Sequence, residues 1–250
     1  TIAGALFLMP VSEHAYIAAL NDKFELLKNT ESPKIVIVGG SSTAFGIDSE
    51  IIDKELNYNV VNSALIGGIG LRYSLEFVKT NLQEGDIVIV VPEYIHLKGI
   101  VYKDTFNRAI VEFPHSITYL SLLEDPISLS EILLYIQKRA RNFIGLSKPT
   151  KNYIYNRSGF NEYGDMVAHL DAKPRREPRE LTMSYEDVDT QAIKMLNDFY
   201  DYTKNKNVQA FMTFSPLPNT SNMETSKIQD WANKLSKQIY MPIISDPDQY

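Results

Sequence analysis

A strand-like run leads directly into a glycine- and serine-rich turn at 34-KIVIVGGSSTAFGID-48. Residues 35–38 are continuously apolar and β-branched, as is typical of a parallel strand covered on both faces. Gly39 and Gly40 permit a sharp turn without Cβ clashes. Asp48 is placed to cap a helix, with Ile51 three residues later. The stretch therefore predicts a βα unit with two serines at the carboxyl end of its strand.

The same pattern repeats along the chain. A second strand is predicted at 59–65, a helix at 71–82 and a third strand at 86–91. Three βα units within about 60 residues favour a right-handed, doubly wound parallel sheet. A later helix and two further strands are indicated by Val188, Ala192, Leu196 and Phe199, by 208–216 and by 242–245. The predicted fold class is α/β: a three-layer, flavodoxin-like sandwich with a five-stranded, mainly parallel sheet.

The chain divides into two parts on this pattern. Residues 34–250 form the α/β domain, interrupted after the third strand by a largely helical insertion at about 95–181, with one amphipathic helix near 127–145. Residues 1–33 precede the domain and begin with the apolar run 1-TIAGALFLMP-10. That run is shorter than the roughly 20 residues that span a bilayer. We expect it to be the end of a membrane anchor or signal segment, although a buried terminal helix or strand fits too.

Composition excludes some classes of function. The net charge is −6 and the sequence contains no run rich in Lys and Arg, which argues against a nucleic-acid partner. The most basic stretch, 173-KPRREPRE-180, contains glutamates and prolines and reads as a solvated loop. The absence of cysteine excludes disulfides, a thiol nucleophile and zinc–thiolate sites, but does not select a compartment.

Candidate site residues follow the predicted strands. Ligands bind beyond the carboxyl ends of parallel strands. The segments at those ends are Ser41 and Ser42, Asn62 to Ala64, Pro92 to Tyr94 and Ser215 to Asn219. The serine turn by itself fits a helix cap, a phosphate site or an activated nucleophile. The glycines do not match the G-x-G-x-x-G spacing, and no G-x-x-x-x-G-K-[ST] run exists.

The turn resembles the first signature block of the SGNH/GDSL hydrolase superfamily, in which G-D-S follows the first strand. Gly39, Gly40 and Ser41 occupy those places, with Gly40 instead of Asp. Similar G-S-S turns occur in divergent membrane-linked members, such as D-alanyl-transfer proteins and polysaccharide O-acetyl esterases and transferases. The resemblance implies that Ser41 is the nucleophile. It also implies that the N–H groups of Ser41 and Ala64, the latter in 61-VNSALIGGIG-70, form the oxyanion hole, and Ser42 reads as a structural hydroxyl.

The chain departs from the family pattern at the third and fourth blocks. Where Gly-x-Asn-Asp is expected after the third strand, the sequence reads 92-PEYIH-96, so Glu93 or Tyr94 takes part in another way. The Asp-x-x-His block is expected beyond Tyr250, and Asp165 and His169 are one residue too far apart to supply it. His96 is a weaker candidate base. The residues expected to line the cleft are Gly40, Ser42, Asn62, Glu93, Tyr94 and His96.

The resemblance implies a serine acyl esterase or acyltransferase without a cofactor or metal. Its partner would be an acylated polysaccharide or another envelope glycan, at the extracytoplasmic face of the membrane that holds the N-terminal segment. Two alternatives stay open: a non-catalytic, membrane-tethered binding or scaffolding protein, and a phosphate-binding flavodoxin-like domain. The polar cluster in 160-FNEYGDMVAHLD-171 is interpreted as loop contacts rather than a metal site. The aromatic side chains of Tyr153, Tyr155, Phe160 and Tyr163 could stack on sugar rings, but the favoured interpretation is that they hold a long loop against the sheet.

Overall fold

A four-stranded, all-parallel sheet organises the part of the chain that the structure describes. The structure is a computed structural model that describes residues 11–122, scattered positions between 130 and 141, and residues 154–173, 188–215 and 232–244. The strands are β1 (Lys34–Gly39), β2 (Asn59–Asn62), β3 (Ile87–Val91) and β4 (Gln209–Met212). The helices are α1 (Ala19–Asn29), α2 (Ser41–Gly46), α3 (Ser49–Leu56), α4 (Leu71–Lys79), α5 (Tyr94–Leu97), α6 (Lys103–Glu112) and α7 (Thr190–Asn205), with 3-10 segments at Tyr16–Ala18, Gly67–Ile69, Pro114–Leu122 and Arg157–Gly159.

The order in which strands are added to the sheet changes sides between β1 and β3. The sheet runs β2-β1-β3-β4, so the chain passes from β1 to β2 on one side and then crosses to β3 on the other. Val36 pairs with Val61 of β2 and with Val88 of β3. In open α/β sheets this reversal opens a crevice at the carboxyl ends of the two strands. The residues after β1 and β3 therefore face the same crevice.

Both faces of the sheet are covered, which explains the continuous apolar strands. Ile35 and Ile37 on one face pack with Val60 and with Ile52 of α3. The alternate side chains on the other face join a larger core that includes residues of α1, α4, α6 and α7, such as Leu27, Leu75, Ala109 and Leu196. A parallel sheet with helices on both faces has no solvent side, so no polar alternation is needed along its strands.

Several predicted elements are confirmed, with shorter bounds. Asp48 caps α3 as expected, because its carboxylate accepts a hydrogen bond from the Ile51 N–H at 3.2 Å. The second strand ends at Asn62 rather than at 65, because the chain turns where the Asn62 side chain bonds the Ala64 N–H. Near the expected fifth strand, one parallel bridge joins Met212 to Ile243.

The insertion contains a helix that the sequence pattern did not indicate, α6 at Lys103–Glu112. Most of the expected helix at 127–145 lies outside the described residues. Segment 154–173 is pinned as interpreted: Tyr155 and Phe160 each lie 5.5 Å from the ring of Tyr16, and the Tyr163 hydroxyl donates to Asp53. Tyr153 lies outside the described residues. Within the described segments, none of the helices combines the length and apolarity that a membrane crossing requires.

Candidate active site

The serine turn and the segment after β3 meet through one carboxylate. The Ser41 hydroxyl donates to Glu93 Oε1 at 3.1 Å, and the Ser42 N–H donates to the same oxygen at 2.9 Å. The Ser42 hydroxyl lies 3.3 Å from it. Ser41, Ser42 and Glu93 are all partly exposed. A serine hydroxyl and a carboxylate thus sit side by side where the fold forms its crevice.

Two glycines make room for the Glu93 carboxylate. A Cβ on Gly40 would come within 3.0 Å of Glu93 Oε1, and it would lie 2.8 Å from the backbone N of Gly67. A Cβ on Gly67 would lie 2.8 Å from both Glu93 Cδ and Ile95 Cδ1. Since neither glycine carries a positive φ, each is required for close approach rather than for backbone freedom. The carboxylate is therefore confined between the serine turn and the Gly67 turn.

Hydrogen bonds through Ser215 connect the segments that follow β1, β3 and β4. The Ser42 and Ser215 hydroxyls lie 3.1 Å apart, and the Ser215 hydroxyl donates to the Pro92 carbonyl at 3.4 Å. The Tyr94 hydroxyl donates to the Ser215 carbonyl at 3.0 Å. These bonds give Ser42 the fastening role expected of it. Tyr94 is buried, so it holds the Ser215 segment rather than forming an open wall.

Both ring nitrogens of His96 form hydrogen bonds with backbone groups around the site. Its Nδ1 accepts from the Glu93 N–H at 3.1 Å, so Nε2 carries the proton and donates to the Gly67 carbonyl at 2.9 Å. In return, the Glu93 carboxylate accepts from the His96 N–H in a capping box. Burial lowers the pKa of His96, against the opposing effects of Glu93 and the Gly67 carbonyl. His96 is a neutral positioning residue here, not a base for Ser41.

Two of the expected site residues, Asn62 from the cleft and Ala64 from the oxyanion hole, are bonded to each other. Asn62 is fully buried, and its amide donates to Asp165 at 2.8 Å and to the Thr43 carbonyl at 3.3 Å. Its side-chain oxygen accepts from the Ala64 N–H at 3.1 Å. The expectation that Ala64 supplies an oxyanion donor is not met in this geometry, because its amide is already bonded and the residue is 1% exposed.

The backbone amide of Gly67 lies closer to the serine turn than its place in the sequence indicates. The Gly67 backbone N lies beside the Gly40–Ser41 turn, 2.8 Å from where a Cβ on Gly40 would be. Both Ser41 and Gly67 begin helical segments, where the first N–H groups have no acceptor within the segment. Within the described part of the chain, neither amide donates to a protein acceptor. These two amides are the candidate oxyanion donors.

A buried network that the sequence reading missed supports the turn from behind. The Asp165 carboxylate accepts from the Ser49 N–H at 2.8 Å, from the Ser49 hydroxyl at 2.7 Å and from Asn62. The Lys23 ammonium donates to the carbonyls of Asn62 at 2.9 Å and Gly164 at 2.6 Å. Burial lowers the pKa of Lys23 to about 7. No local pattern signals this network, because its members lie far apart in the chain.

The other histidines lie away from Ser41 or in aromatic contacts. His115 stacks on Phe24 with ring centroids 5.3 Å apart, and His169 packs against Phe45 at 5.0 Å. His14 is exposed. Over the described ranges, no histidine nitrogen bonds Ser41, and no three His, Asp or Glu side chains are grouped as metal ligands. The group that bonds the Ser41 hydroxyl is the Glu93 carboxylate.

Comparison of the chain with protein-family models, with curated proteins and with solved structures found no match. The features of the chain that bear on function are therefore the side chains and amides at the carboxyl ends of β1 and β3.

Proposed function

We propose that this protein is a serine acyl esterase or acyltransferase whose nucleophile is Ser41. The observation that carries the proposal is the partly exposed Ser41 hydroxyl, hydrogen-bonded to Glu93 at the crevice between β1 and β3. A serine at the start of a helix after the first strand, next to free amides, is the setting of an activated nucleophile. The same geometry speaks against phosphate binding, because the Ser42 N–H already donates to a carboxylate.

The proposed chemistry follows from the positions of the two turns. Ser41 Oγ attacks the acyl carbonyl, and the carbonyl π electrons move to its oxygen, which the N–H groups of Ser41 and Gly67 stabilise. An acyl-enzyme forms as the alcohol leaves, and water or an acceptor hydroxyl then takes the acyl group. The Ser41 proton passes to a general base, which in the family that the chain resembles is a histidine oriented by an aspartate, and from that base to the oxygen of the leaving alcohol. Hydrolysis and transfer share these steps and differ only in the acceptor.

The finer fold assignment belongs to the same proposal. An SGNH-type sheet has a fifth parallel strand beside the fourth, which we assign to residues 242–244. The Met212 N–H donates to the Pro242 carbonyl at 2.8 Å, and the Ile244 N–H donates to the Met212 carbonyl at 2.9 Å. These bonds are those of a parallel pair, and they support the extension of the sheet at this edge.

The substrate and location follow from the resemblance alone. We propose an acyl group of an envelope glycan as the substrate, at the extracytoplasmic face of a membrane. The apolar run 1–10 is consistent with an N-terminal anchor. No cofactor or metal is needed for acyl transfer by a serine.

Labelling of the full-length protein tests the proposal. A fluorophosphonate should label the wild type, and Ser41→Ala should abolish labelling and lower turnover of p-nitrophenyl acetate by about 10³-fold or more. Ser42→Ala, which loosens the turn, should keep the label with reduced turnover. Ser236→Ala, an exposed serine on another surface, is the matched control and should change neither. Unchanged labelling of Ser41→Ala would refute the assignment of the nucleophile.

A second candidate is a non-catalytic binding protein with this fold, tethered to a membrane. The observation that favours it is the engagement of the Ser42 and Ala64 amides by protein acceptors, together with the committed ring of His96. This candidate predicts that the folded wild type is not labelled at all but still binds an acylated glycan, measured by calorimetry with the intact polymer and its deacylated form.

A further inference from the structure

The Glu93 carboxylate places a fixed negative charge next to the nucleophile. Its Oε1 lies 3.1 Å from Ser41 Oγ and 2.9 Å from the Ser42 nitrogen. The capping box with His96 ties the same side chain to its own helix. The backbones of Gly40 and Gly67 approach the carboxylate closely from both turns. The negative charge therefore lies beside Ser41 Oγ in the free protein.

Within the part of the chain that the structure describes, none of the ion pairs involves Glu93. The His96 ring on the same helix is neutral, since its Nδ1 accepts a hydrogen bond from the Glu93 N–H. By contrast, the carboxylate of Asp86 at the opposite end of β3 pairs with Lys34 at 3.4 Å. The donors to Glu93 are hydroxyls and amides, which orient the carboxylate without cancelling its charge.

We infer that Glu93 is a specificity-determining residue that makes the site reject acyl groups carrying a negative charge. This inference rests on the proposed function, since it concerns the acyl group that Ser41 attacks. Once the acyl carbon is within bonding distance of Ser41 Oγ, the remaining acyl atoms lie within several ångströms of Glu93. Two like charges about 7 Å apart in a partly exposed site repel each other enough to lower kcat/KM by about tenfold after screening. The substrate class is thus an ester of an acyl group that carries no negative charge.

A pair of p-nitrophenyl esters with the same six-carbon acyl chain tests this inference in the full-length protein. The probes are mono-p-nitrophenyl adipate, which is anionic, and its methyl ester, which is neutral. Rates are divided by those of the uncatalysed reactions, so that intrinsic reactivity cancels. In low salt, the wild type should prefer the methyl ester by about tenfold in kcat/KM, and 0.5 M NaCl should reduce this preference to about threefold or less.

Variants separate charge from structure. Glu93→Gln keeps the size and one acceptor oxygen, and its preference should fall to about twofold or less without salt dependence. Glu93→Asp keeps the charge and should therefore retain the preference for the methyl ester. This variant and the salt dependence of the wild type still test the inference if Glu93→Gln does not fold. Glu84→Gln, an exposed acid at the other end of β3, should behave as the wild type.

The outcomes distinguish this inference from the proposed function. Equal kcat/KM for both esters in the wild type would overturn the inference and leave the esterase intact. A preference that survives unchanged in Glu93→Gln would assign the selectivity to another group and would also overturn it. A wild type that cleaves neither ester would refute both.

Discussion

Substituting Gly40 by alanine tests how tightly the Glu93 carboxylate is held against the serine turn. Gly40 has a φ of −102°, which any residue can adopt, so the backbone itself tolerates alanine. The added Cβ, however, would come within 3.0 Å of Glu93 Oε1 and would lie 2.8 Å from the Gly67 nitrogen. Since the second neighbour is backbone, a rotation of Glu93 alone cannot relieve the contact.

The expected cost has two parts. Overpacking of a close contact costs about 1–3 kcal/mol. Displacement of Glu93 also weakens the charge-assisted hydrogen bond from the Ser42 N–H, which is worth about 1.5–3 kcal/mol. A combined loss of about 3 kcal/mol corresponds to a fall in Tm of about 6–12 °C for a chain of this size.

Gly46→Ala is the matched control at the other end of α2, the short helix that Gly40 precedes. A Cβ at Gly46 would meet no heavy atom within 4 Å, so this variant should keep or slightly raise the Tm. Thermal unfolding followed by circular dichroism compares both variants with the wild type. The cost of Gly40→Ala should shrink in a Glu93→Ala background, because one of the two clashes is gone. A Tm for Gly40→Ala within 2 °C of the wild type would show that the carboxylate is not confined as described.

Three further perturbations probe the groups behind the site. Burial lowers the pKa of Lys23 from 10.5 to about 7, so the unfolded chain binds this proton more tightly between those values. The unfolding free energy of the wild type relative to Lys23→Met should therefore rise with pH across that window, by up to about 1.4 kcal/mol per unit in urea titrations. Asp165→Ala leaves buried donors without an acceptor and should cost about 3 kcal/mol, against less than about 0.5 kcal/mol for the exposed Asp171→Ala. Burial lowers the pKa of His96 below 6.5, so wild-type stability should fall as the pH drops below 6.5, a loss that His96→Gln should lack.

Each of these three has a clear contrary result. A flat difference between wild type and Lys23→Met from pH 7 to 10 would mean that the lysine is not buried in its neutral form. Equal stabilities of Asp165→Ala and Asp171→Ala would remove Asp165 from the supporting network. Parallel acid profiles for wild type and His96→Gln would show that His96 is protonated as readily in the folded chain as in the unfolded one.

Local patterns in the sequence were sufficient for the elements that position the site. The β-branched run at 35–38 and the apolar run at 87–91 predict buried parallel strands, since such strands have no solvent face. Asp48 was recognised as a cap because its partner, the Ile51 N–H, lies three residues away. The serine turn can also be predicted from a local pattern, because the two glycines follow the strand directly.

The tertiary structure alone decided which side chains meet at that turn. Glu93 reaches Ser41 from 52 positions along the chain, because the crossover packs β3 directly beside β1. The resemblance implies that the Ala64 N–H is an oxyanion donor, but this N–H already donates to the side-chain oxygen of Asn62. The Asn62 side chain is held in that orientation by its hydrogen bond to the distant Asp165. The Gly67 backbone lies next to the serine turn instead, with its carbonyl held by His96 of the neighbouring helix. Sequence periodicity reports which face of each strand and helix is buried, whereas the contacts between two turns depend on how whole elements pack.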